Sequence, residues 1–278
     1  MSALFKFMGN PAVAQSVVTG AVKFTPIAEL NDPAELNPTL NREAVEASLK
    51  RLRETGYSEH DMLHLRRQGA VLQTLAPEYQ AVPIPATREQ ATALIHSRFY
   101  NSTSTLDQLL TSTARMIASR VGIFCLSKRF DSLPMWAHYA NNAAGLAIEF
   151  ADLDSSFEGD ATGVLREPRE VVYESEIEGV TFDPRSHESL FFSKYSDWSY
   201  EQEVRVVLPL SECRVMATGS SSLYLFDVPR TCVRRVILGW NVQPTMANAV
   251  RAAVAVANPR VAVVHAQFRR GRVTLAED

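Results

Sequence analysis

The chain has 278 residues, of which 46% are hydrophobic and 21% are charged, and its formal net charge is −3. This composition is that of an ordinary globular protein, and the negative charge argues against a general electrostatic affinity for DNA or RNA. The three cysteines lie far apart with no C-x-x-C pair, which excludes a paired zinc motif and is typical of a reducing compartment.

The N-terminus has no charged segment followed by a long apolar run, and no stretch reaches about 18 uninterrupted apolar residues. We therefore expect a cytoplasmic protein without membrane association. The same features would also fit an effector that is delivered into a target cell without such signals.

The first 33 residues predict a strand, a helix and a second strand, followed by a turn. Residues 3–7 and 21–25 have strand patterns, and a helix is expected over 12–19, between Asn10-Pro11 and Gly20. Asn31, Asp32 and Pro33 then predict a turn.

Residues 42–120 show helical periodicity instead, and Asn41 is a suitable N-cap for the first helix. Helices are expected over 42–56, 59–73, 87–95 and 106–118. The spacing of His60 and His64 could hold a metal ion, but no third ligand lies nearby, so an exposed helix face is favoured. We interpret 42–120 as a helical insertion within one domain that spans 1–278.

The remainder of the chain is mainly β in pattern. Strands are expected over 121–127, 145–150, 170–173, 200–208, 222–227, 233–239 and 261–266, helices over 135–140 and 246–257, and a short basic hairpin or loop over 268–272. The fold class that follows is α+β, with two packed, mainly antiparallel β-sheets and the helical insertion on one side.

The predicted strand over 200–208 carries an unusual pattern of charge. Alternation would place Glu201, Glu203 and Arg205 on one face and Val204, Val206 and Leu208 on the core face. Two carboxylates about 6 to 7 Å apart raise each other's pKa unless a cation or a substrate offsets the repulsion. The alternative interpretation is an edge strand whose charged face lies in water.

The predicted helix 135–140 places Trp136 and Tyr139 on one face, with His138 beside them. Two aromatic rings at this spacing are core residues more often than a ligand platform, and both interpretations stay open.

Several segments together carry a resemblance: Asn31-Asp32-Pro33, Met135-Trp136-Ala137-His138-Tyr139-Ala140, and Trp198 followed by Tyr200-Glu201-Gln202-Glu203-Val204-Arg205. In this order they resemble a bacterial family carried in genomes as a domain of unknown function. That resemblance indicates kinship rather than activity.

A more distant resemblance is to the ADP-ribosyltransferase superfamily, through a basic residue on the first strand, a strand that ends in a hydroxyl, and a strand with E-x-E. The resemblance implies that Lys6 lies near the nucleotide, that Ser127 is the hydroxyl of the second motif, and that Glu203 contacts the nicotinamide ribose. Glu201 would then be the partner that orients the acceptor.

This resemblance implies an enzyme that cleaves NAD and transfers ADP-ribose to a protein or nucleic-acid acceptor. Glu203 would stabilise the oxocarbenium-like transition state, and Glu201 would orient or deprotonate the acceptor. The implied nucleotide contacts are Trp136, Tyr139 or Tyr200 for ring stacking, with His138 beside them, and Arg205 or Lys6 for the pyrophosphate.

No metal is required for this chemistry. Because G-x-G-x-x-G and G-x-x-x-x-G-K-S/T are both absent, NAD is expected as a consumed substrate. Such an enzyme could be a toxin or a phage-defence effector with an antitoxin or immunity partner.

Two other classes remain open. One is a non-catalytic nucleotide or ligand sensor in which the carboxylates are structural. The other is a nuclease or phosphodiesterase that uses His138, Glu201 and Glu203 around a divalent cation or as acid and base.

Overall fold

The computed structural model describes residues 3–32, 41–75, 83–96, 103–157, 166–177, 179, 190–218 and 221–276. The strands within these residues are β1 Leu4–Met8, β2 Ala21–Pro26, β3 Val121–Ser127, β4 Leu146–Phe150, β5 Arg169–Glu170, β6 Val172–Glu174, β7 Ser193–Tyr195, β8 Glu203–Pro209, β9 Arg214–Thr218, β10 Ser221–Asp227, β11 Val233–Leu238, β12 Ala262–Arg269 and β13 Arg272–Leu275. The α-helices are α1 Ala14–Val17, α2 Arg42–Thr55, α3 Glu59–Leu75, α4 Arg88–Ile95, α5 Thr103–Ala118, α6 Leu133–His138 and α7 Pro244–Ala257.

Eleven strands form one mostly antiparallel sheet, and the parallel pair β6–β7 stands apart. The main path runs β13-β12-β11-β4-β1-β3-β2-β10-β9, while β8 pairs with β3 and β5. The predicted mixture of helices with mainly antiparallel strands is confirmed. The predicted pair of packed sheets is replaced by one large hydrogen-bonded sheet and one small one.

Strand β3 explains this difference, because it is shared between two halves of the large sheet. One edge of β3 pairs with β8 along its whole length, from Val121↔Pro209 to Ser127↔Glu203. Its other edge pairs with β1 only at Ser127 and with β2 only near Ile123 and Gly122. The halves containing β1 and β2 therefore diverge from opposite ends of one strand.

The parallel pair β11–β12 departs from the antiparallel rule. Helix α7 connects these two strands, and a parallel connection requires such a crossover because the chain must return to the same end of the sheet. Val250 and Val254 of α7 are buried in the main core.

The segment between β2 and β3 contains α2 to α5, as its periodicity predicts. Asn41 caps α2 by accepting a hydrogen bond from the Ala44 amide, and Thr87 forms a capping box with Gln90 at the start of α4. The predicted helix over 12–19 is shorter, since it consists of a 3-10 turn, Pro11–Val13, followed by α1. The Pro33 of the predicted turn lies outside the described residues.

Both faces of the central strands are covered. Val204, Val206 and Leu208 of β8 lie in the main core, as the alternation predicts. On the opposite face, Val207 packs with residues of β3 and the segment before β7. Because both faces are buried, polar groups on β8 must find their partners within the protein.

Among the described residues, no helix combines the length and apolar character needed to cross a membrane.

Candidate functional site

The E-x-E segment is not one continuous strand. Strand β8 begins only at Glu203, and residues Ser196–Glu201 form a 3-10 turn. Gln202 connects the two in the left-handed region, with φ of 42°. The prediction of a strand over 200–208 is therefore wrong for its first three residues, and Glu201 reaches the site from a turn.

Backbone carbonyls of this turn are held by side chains and amides from β3 and the loop that follows it. The hydroxyl of Ser127 donates to the Glu201 carbonyl at 2.6 Å, and the Lys128 amide donates to the Gln202 carbonyl at 3.0 Å. Ser127 is fully buried. In this structure its hydroxyl fixes the turn and does not face an open cleft, in contrast to the nucleotide contact implied for it.

Four buried charged groups lie together behind the turn. The Nε and Nη2 of Arg205 donate to the two oxygens of Glu203, both at 2.9 Å, and its Nη1 donates to the Phe191 carbonyl at 2.8 Å. The Nζ of Lys194 lies 2.8 Å from Glu201 Oε2 and 3.5 Å from Glu203 Oε2. We call Lys194, Glu201, Glu203 and Arg205 the buried charge cluster.

The buried charge cluster is electrically balanced, with two carboxylates and two cations. All four residues are at most 5% exposed. The alternative of a charged edge in water is therefore wrong for Glu203 and Arg205. Because Arg205 is fully enclosed by protein groups, the structure also does not present its guanidinium to a pyrophosphate.

The two carboxylates differ in their acidity. Burial pushes the pKa of Glu203 upward, but the charges of Arg205 and Lys194 outweigh this effect and lower it to about 2. The pKa of Glu201 is raised, first by burial and then by the charge of Glu203, and Lys194 offsets this only in part. Glu203 is thus ionised at neutral pH, and Glu201 is the carboxyl of the two with the higher pKa.

Tyr139 links the buried Glu201 to the protein surface. The Tyr139 hydroxyl donates a short hydrogen bond to Glu201 Oε1 and accepts one from the side-chain amide of Asn31 at 2.8 Å. Tyr139 is half-buried and Asn31 is exposed. Burial and the contact with Glu201 raise the pKa of Tyr139, which keeps its hydroxyl protonated as a donor.

Aromatic side chains surround this point. The hydroxyl of Tyr200 and Nδ1 of His138 share a hydrogen bond of 3.0 Å, and the Trp198 ring lies 6.1 Å from that of Tyr200. Lys194 Nζ lies 4.6 Å from the centre of the Trp198 ring. We call His138, Tyr139, Trp198 and Tyr200 the aromatic rim, since each retains exposed surface while Glu201 lies beneath them.

Trp136 does not belong to the rim. Its ring is fully buried against Phe7 and Trp240, at 5.2 Å and 5.5 Å between ring centres, and its indole N–H donates to the Phe130 carbonyl. The core interpretation of Trp136 is thus favoured over ring stacking with a ligand, because no face of the ring is accessible.

Lys6 lies on β1, where alternation places its side chain on the face opposite Phe5 and Phe7. Its ammonium donates to the Cys125 carbonyl at 3.0 Å. That carbonyl lies between the points where β1 and β2 leave β3, so Lys6 satisfies an acceptor in the gap of the sheet. This hydrogen bond gives the Lys6 ammonium a partner within the protein, so a bound nucleotide is not needed to explain its position.

Three further residues join the site without having been predicted as site residues. Lys194 bridges both carboxylates, Asn31 contacts Tyr139, and the Tyr173 hydroxyl accepts a hydrogen bond from the Glu203 amide at 2.8 Å. Two of them stand near recognisable sequence features, since Lys194 precedes Trp198 by four residues and Asn31 begins the N-D-P turn. Nothing in the local pattern singles out Tyr173.

The turn after α6 is conformationally unusual. Asn141, Asn142 and Ala143 have consecutive positive φ values of 49°, 51° and 61°. Gly145 follows, and a Cβ at that position would lie 2.1 Å from the Met8 carbonyl oxygen. This close packing onto β1 fixes the end of the segment that carries His138 and Tyr139.

Comparison with known proteins identifies one similarity. Residues 135–206 match a family model described as "Protein of unknown function (DUF2971)". The matched segment begins in α6 and ends in β8, so it contains the aromatic rim and the buried charge cluster. No curated protein and no solved structure matches the chain.

Proposed function

We propose that the protein is an ADP-ribosyltransferase-like enzyme that cleaves NAD and transfers ADP-ribose to a macromolecular acceptor. The observation that carries the proposal is the position of Glu201, a carboxyl with a raised pKa that lies beneath the aromatic rim and above an ionised Glu203. The divergence of the sheet at β3 supports an ADP-ribosyltransferase-like architecture.

The residue types fit NAD as a substrate. Tyr139, Tyr200 and Trp198 offer partly exposed rings for the planar nicotinamide, and His138 offers a polar ring beside them. We do not assign Arg205 to the pyrophosphate, because its guanidinium is already bound by Glu203 and the Phe191 carbonyl.

In the proposed reaction the bond between ribose C1′ and the nicotinamide nitrogen breaks, and the electron pair leaves with nicotinamide. The positive charge that develops on the ribose is stabilised by the ionised carboxylates. An acceptor nucleophile then forms the new bond to C1′ and loses its proton to Glu201, whose raised pKa suits a general base.

This arrangement revises the roles of the two carboxylates. Glu203 was expected to contact the ribose, but the buried Arg205 binds both of its oxygens. Glu201 is no more exposed, at 3% against 5%, but one of its oxygens is bound by Tyr139, which is only half-buried and lies at the aromatic rim. We therefore assign the contact with the substrate to Glu201. Glu203 acts behind it, as a fixed negative charge that raises the pKa of Glu201.

A second candidate is the non-catalytic nucleotide sensor, which is favoured by the complete pairing of Glu203 with Arg205. A paired, buried carboxylate is what a structural role requires. Metal-dependent hydrolysis is less well supported, because Lys194 and Arg205 already occupy the sides of the carboxylates that a divalent cation would need.

The test is the release of nicotinamide from NAD by the purified protein, with and without cell extract as the source of acceptor. We expect Glu201→Gln to lower turnover by roughly 10² to 10³ while NAD binding is retained. Binding of NAD without turnover in the wild type would support the sensor. If the wild type neither binds NAD nor releases nicotinamide, the transferase proposal is wrong.

Glu201→Gln is preferred to Glu203→Gln for a structural reason. Removing the charge of Glu203 would leave Arg205 buried without its partner, which costs about 3 to 5 kcal/mol and would confuse unfolding with lost catalysis. Glu201→Gln also removes one partner of a buried pair, but Lys194 still has Glu203 at 3.5 Å as a counter-charge. The glutamine keeps a hydrogen-bond acceptor for Tyr139, and circular dichroism and melting are the control for folding of this variant.

A further inference from the structure

Hydrogen bonds connect the exposed side chain of Asn31 with the buried carboxyl of Glu201. Asn31 is exposed, Tyr139 is half-buried and Glu201 is 3% exposed. The side-chain amide of Asn31 donates to the Tyr139 hydroxyl at 2.8 Å, and that hydroxyl donates to Glu201 Oε1. The Lys194 ammonium donates to Glu201 Oε2 at 2.8 Å. Both oxygens of Glu201 thus accept a hydrogen bond, and one of the two donors is held by a residue at the surface.

The direction of these hydrogen bonds depends on the protonation of Glu201. A tyrosine hydroxyl has one proton to donate, and an ionised carboxylate can only accept. While Glu201 is ionised, the Tyr139 proton therefore points to Glu201, and the Tyr139 oxygen accepts from the NH2 group of Asn31. A proton on Glu201 Oε1 makes that atom the donor. The Tyr139 proton then turns outward, and Asn31 must present its carbonyl oxygen.

Asparagine suits this position because its side chain carries both a donor and an acceptor. Rotation of the exposed amide by about 180° exchanges the two groups without moving the backbone. An ionised aspartate offers acceptors only, so it fits the outward direction of the Tyr139 proton and opposes the inward one. Alanine offers neither group, and at an exposed position water can take either part.

We propose that Asn31 is a positioning residue that acts through Tyr139 to support the ionised form of Glu201 and to accommodate its protonated form. No proton passes through Asn31, because only the Tyr139 hydroxyl and the Asn31 amide rotate. The use of this device in catalysis rests on the proposed function, in which Glu201 accepts the proton of the acceptor nucleophile. The link between hydrogen-bond direction and the protonation of Glu201 does not rest on it.

The other groups around Glu201 are less open to a change at the surface. They are Lys194 of β7, Glu203 of β8, Tyr173 of β6 and Tyr200 of the 3-10 turn, with His138 one hydrogen bond further away on Tyr200. Lys194 and Glu203 are at most 5% exposed. Burial raises the pKa of Tyr173 to about 12 and also raises that of Tyr200, so both hydroxyls stay neutral near pH 7. A substitution at Asn31 therefore acts on Glu201 through Tyr139 or through its own charge.

The protonation of Glu201 can be followed without an assay of NAD. The side-chain carboxyl carbon of Glu201 would be recorded by NMR in 13C-labelled protein between about pH 4 and pH 9, and its signal assigned by its absence in Glu201→Gln. For Asn31→Asp we expect the midpoint of this titration to move to higher pH by about one unit or more, because the reversed Tyr139 proton leaves the ionised carboxylate without that donor. For Asn31→Ala we expect a change of less than about half a unit, because water replaces the amide.

A double-mutant cycle separates this effect from charge repulsion. In Tyr139→Phe the hydroxyl is absent, so a further Asn31→Asp acts on Glu201 only through space. Because residue 31 is exposed, that contribution is weakened by solvent and by salt. We expect Asn31→Asp to move the Glu201 midpoint less than about half as far in the Tyr139→Phe protein as in the wild type, and the difference to persist in about 0.5 M salt.

Asn248→Asp is the matched control, since Asn248 is also exposed but lies on α7 and contacts Arg251. It makes the same change of charge and should leave the Glu201 midpoint unchanged. Melting curves of each variant check folding. If the proposed function holds, the acidic limb of the pH profile of nicotinamide release should move in Asn31→Asp by the same amount as the NMR midpoint.

Three results would overturn the role of Asn31. They are an unchanged Glu201 midpoint in Asn31→Asp, an equal change when Tyr139 is already phenylalanine, and an equal change in Asn248→Asp. The absence of nicotinamide release by the wild type would refute the proposed function alone, because the NMR titration still supports or refutes the coupling of Asn31 to Glu201.

Discussion

Replacing Lys194 by Met tests the electrostatic balance of the buried charge cluster. The lysine ammonium lies 2.8 Å from Glu201 and 3.5 Å from Glu203, and its side chain is 3% exposed. Methionine fills a similar volume with an apolar, unbranched side chain, so packing is largely retained while the charge is removed. The variant leaves two buried carboxylates and only one buried cation.

The expected loss of stability in Lys194→Met follows from the burial of the ion pair. Breaking a buried ion pair by removing one partner costs about 3 to 5 kcal/mol, because an uncompensated charge is left in a poorly solvated place. Arg205 remains bidentate on Glu203, so the uncompensated carboxylate is Glu201. We expect the free energy of unfolding to fall by about 3 to 5 kcal/mol near neutral pH.

The pH dependence of this loss has a definite sign. The pKa of Glu201 is already raised in the folded state, and removing Lys194 raises it further because the lysine charge lowers it. When a carboxyl has a raised pKa in the folded state, the free energy of unfolding of the protein falls as the pH rises from the unfolded-state pKa toward the folded-state pKa. The cost of Lys194→Met should therefore be larger near pH 8 than near pH 5, changing by at most about 1.4 kcal/mol per pH unit.

Urea unfolding of the wild type and the variant at the two pH values would measure this difference. The matched control is Lys128→Met, since Lys128 also lies 2.8 Å from a glutamate, Glu170, but the two side chains are 35% and 68% exposed. An exposed pair contributes only about 0 to 1 kcal/mol. A cost for Lys194→Met no larger than that of Lys128→Met, or one that grows as pH falls, would refute the reasoning.

The other predictions concern the contacts around the cluster. Tyr139→Phe should lower the free energy of unfolding by about 0.5 to 1.5 kcal/mol in urea titrations, because it removes the hydrogen bond to Glu201, and it should also reduce nicotinamide release. Ser127→Ala should cost about 1 to 3 kcal/mol by the same measurement, since the buried Glu201 carbonyl loses its donor, whereas an unchanged stability would contradict that role. Gly145→Ala should cost more than about 3 kcal/mol or prevent folding, as judged by circular dichroism and melting, because the added Cβ meets the Met8 carbonyl at 2.1 Å.

Much of the site's secondary structure could be predicted from local pattern. The runs that became β3 and α6, and the alternation of Val204, Val206 and Leu208, are visible in the sequence because each element repeats with its own period. The same pattern misled at Glu201. Gln202 has a left-handed backbone conformation, which ends the alternation. The spacing of apolar residues in the sequence does not reveal such a break.

The amino-acid sequence by itself determined most of the helices and the longer strands, and it marked Glu201, Glu203, Tyr139 and Tyr200 as polar or aromatic groups in unusual places. Only the tertiary structure decided that Lys194 lies between the two carboxylates and that Trp136 is in the core. The physical reason is the range of the interactions. Helix and strand periods act over a few residues, whereas the contact of Tyr139 with Glu201 spans 62 residues and depends on the order and register of the strands.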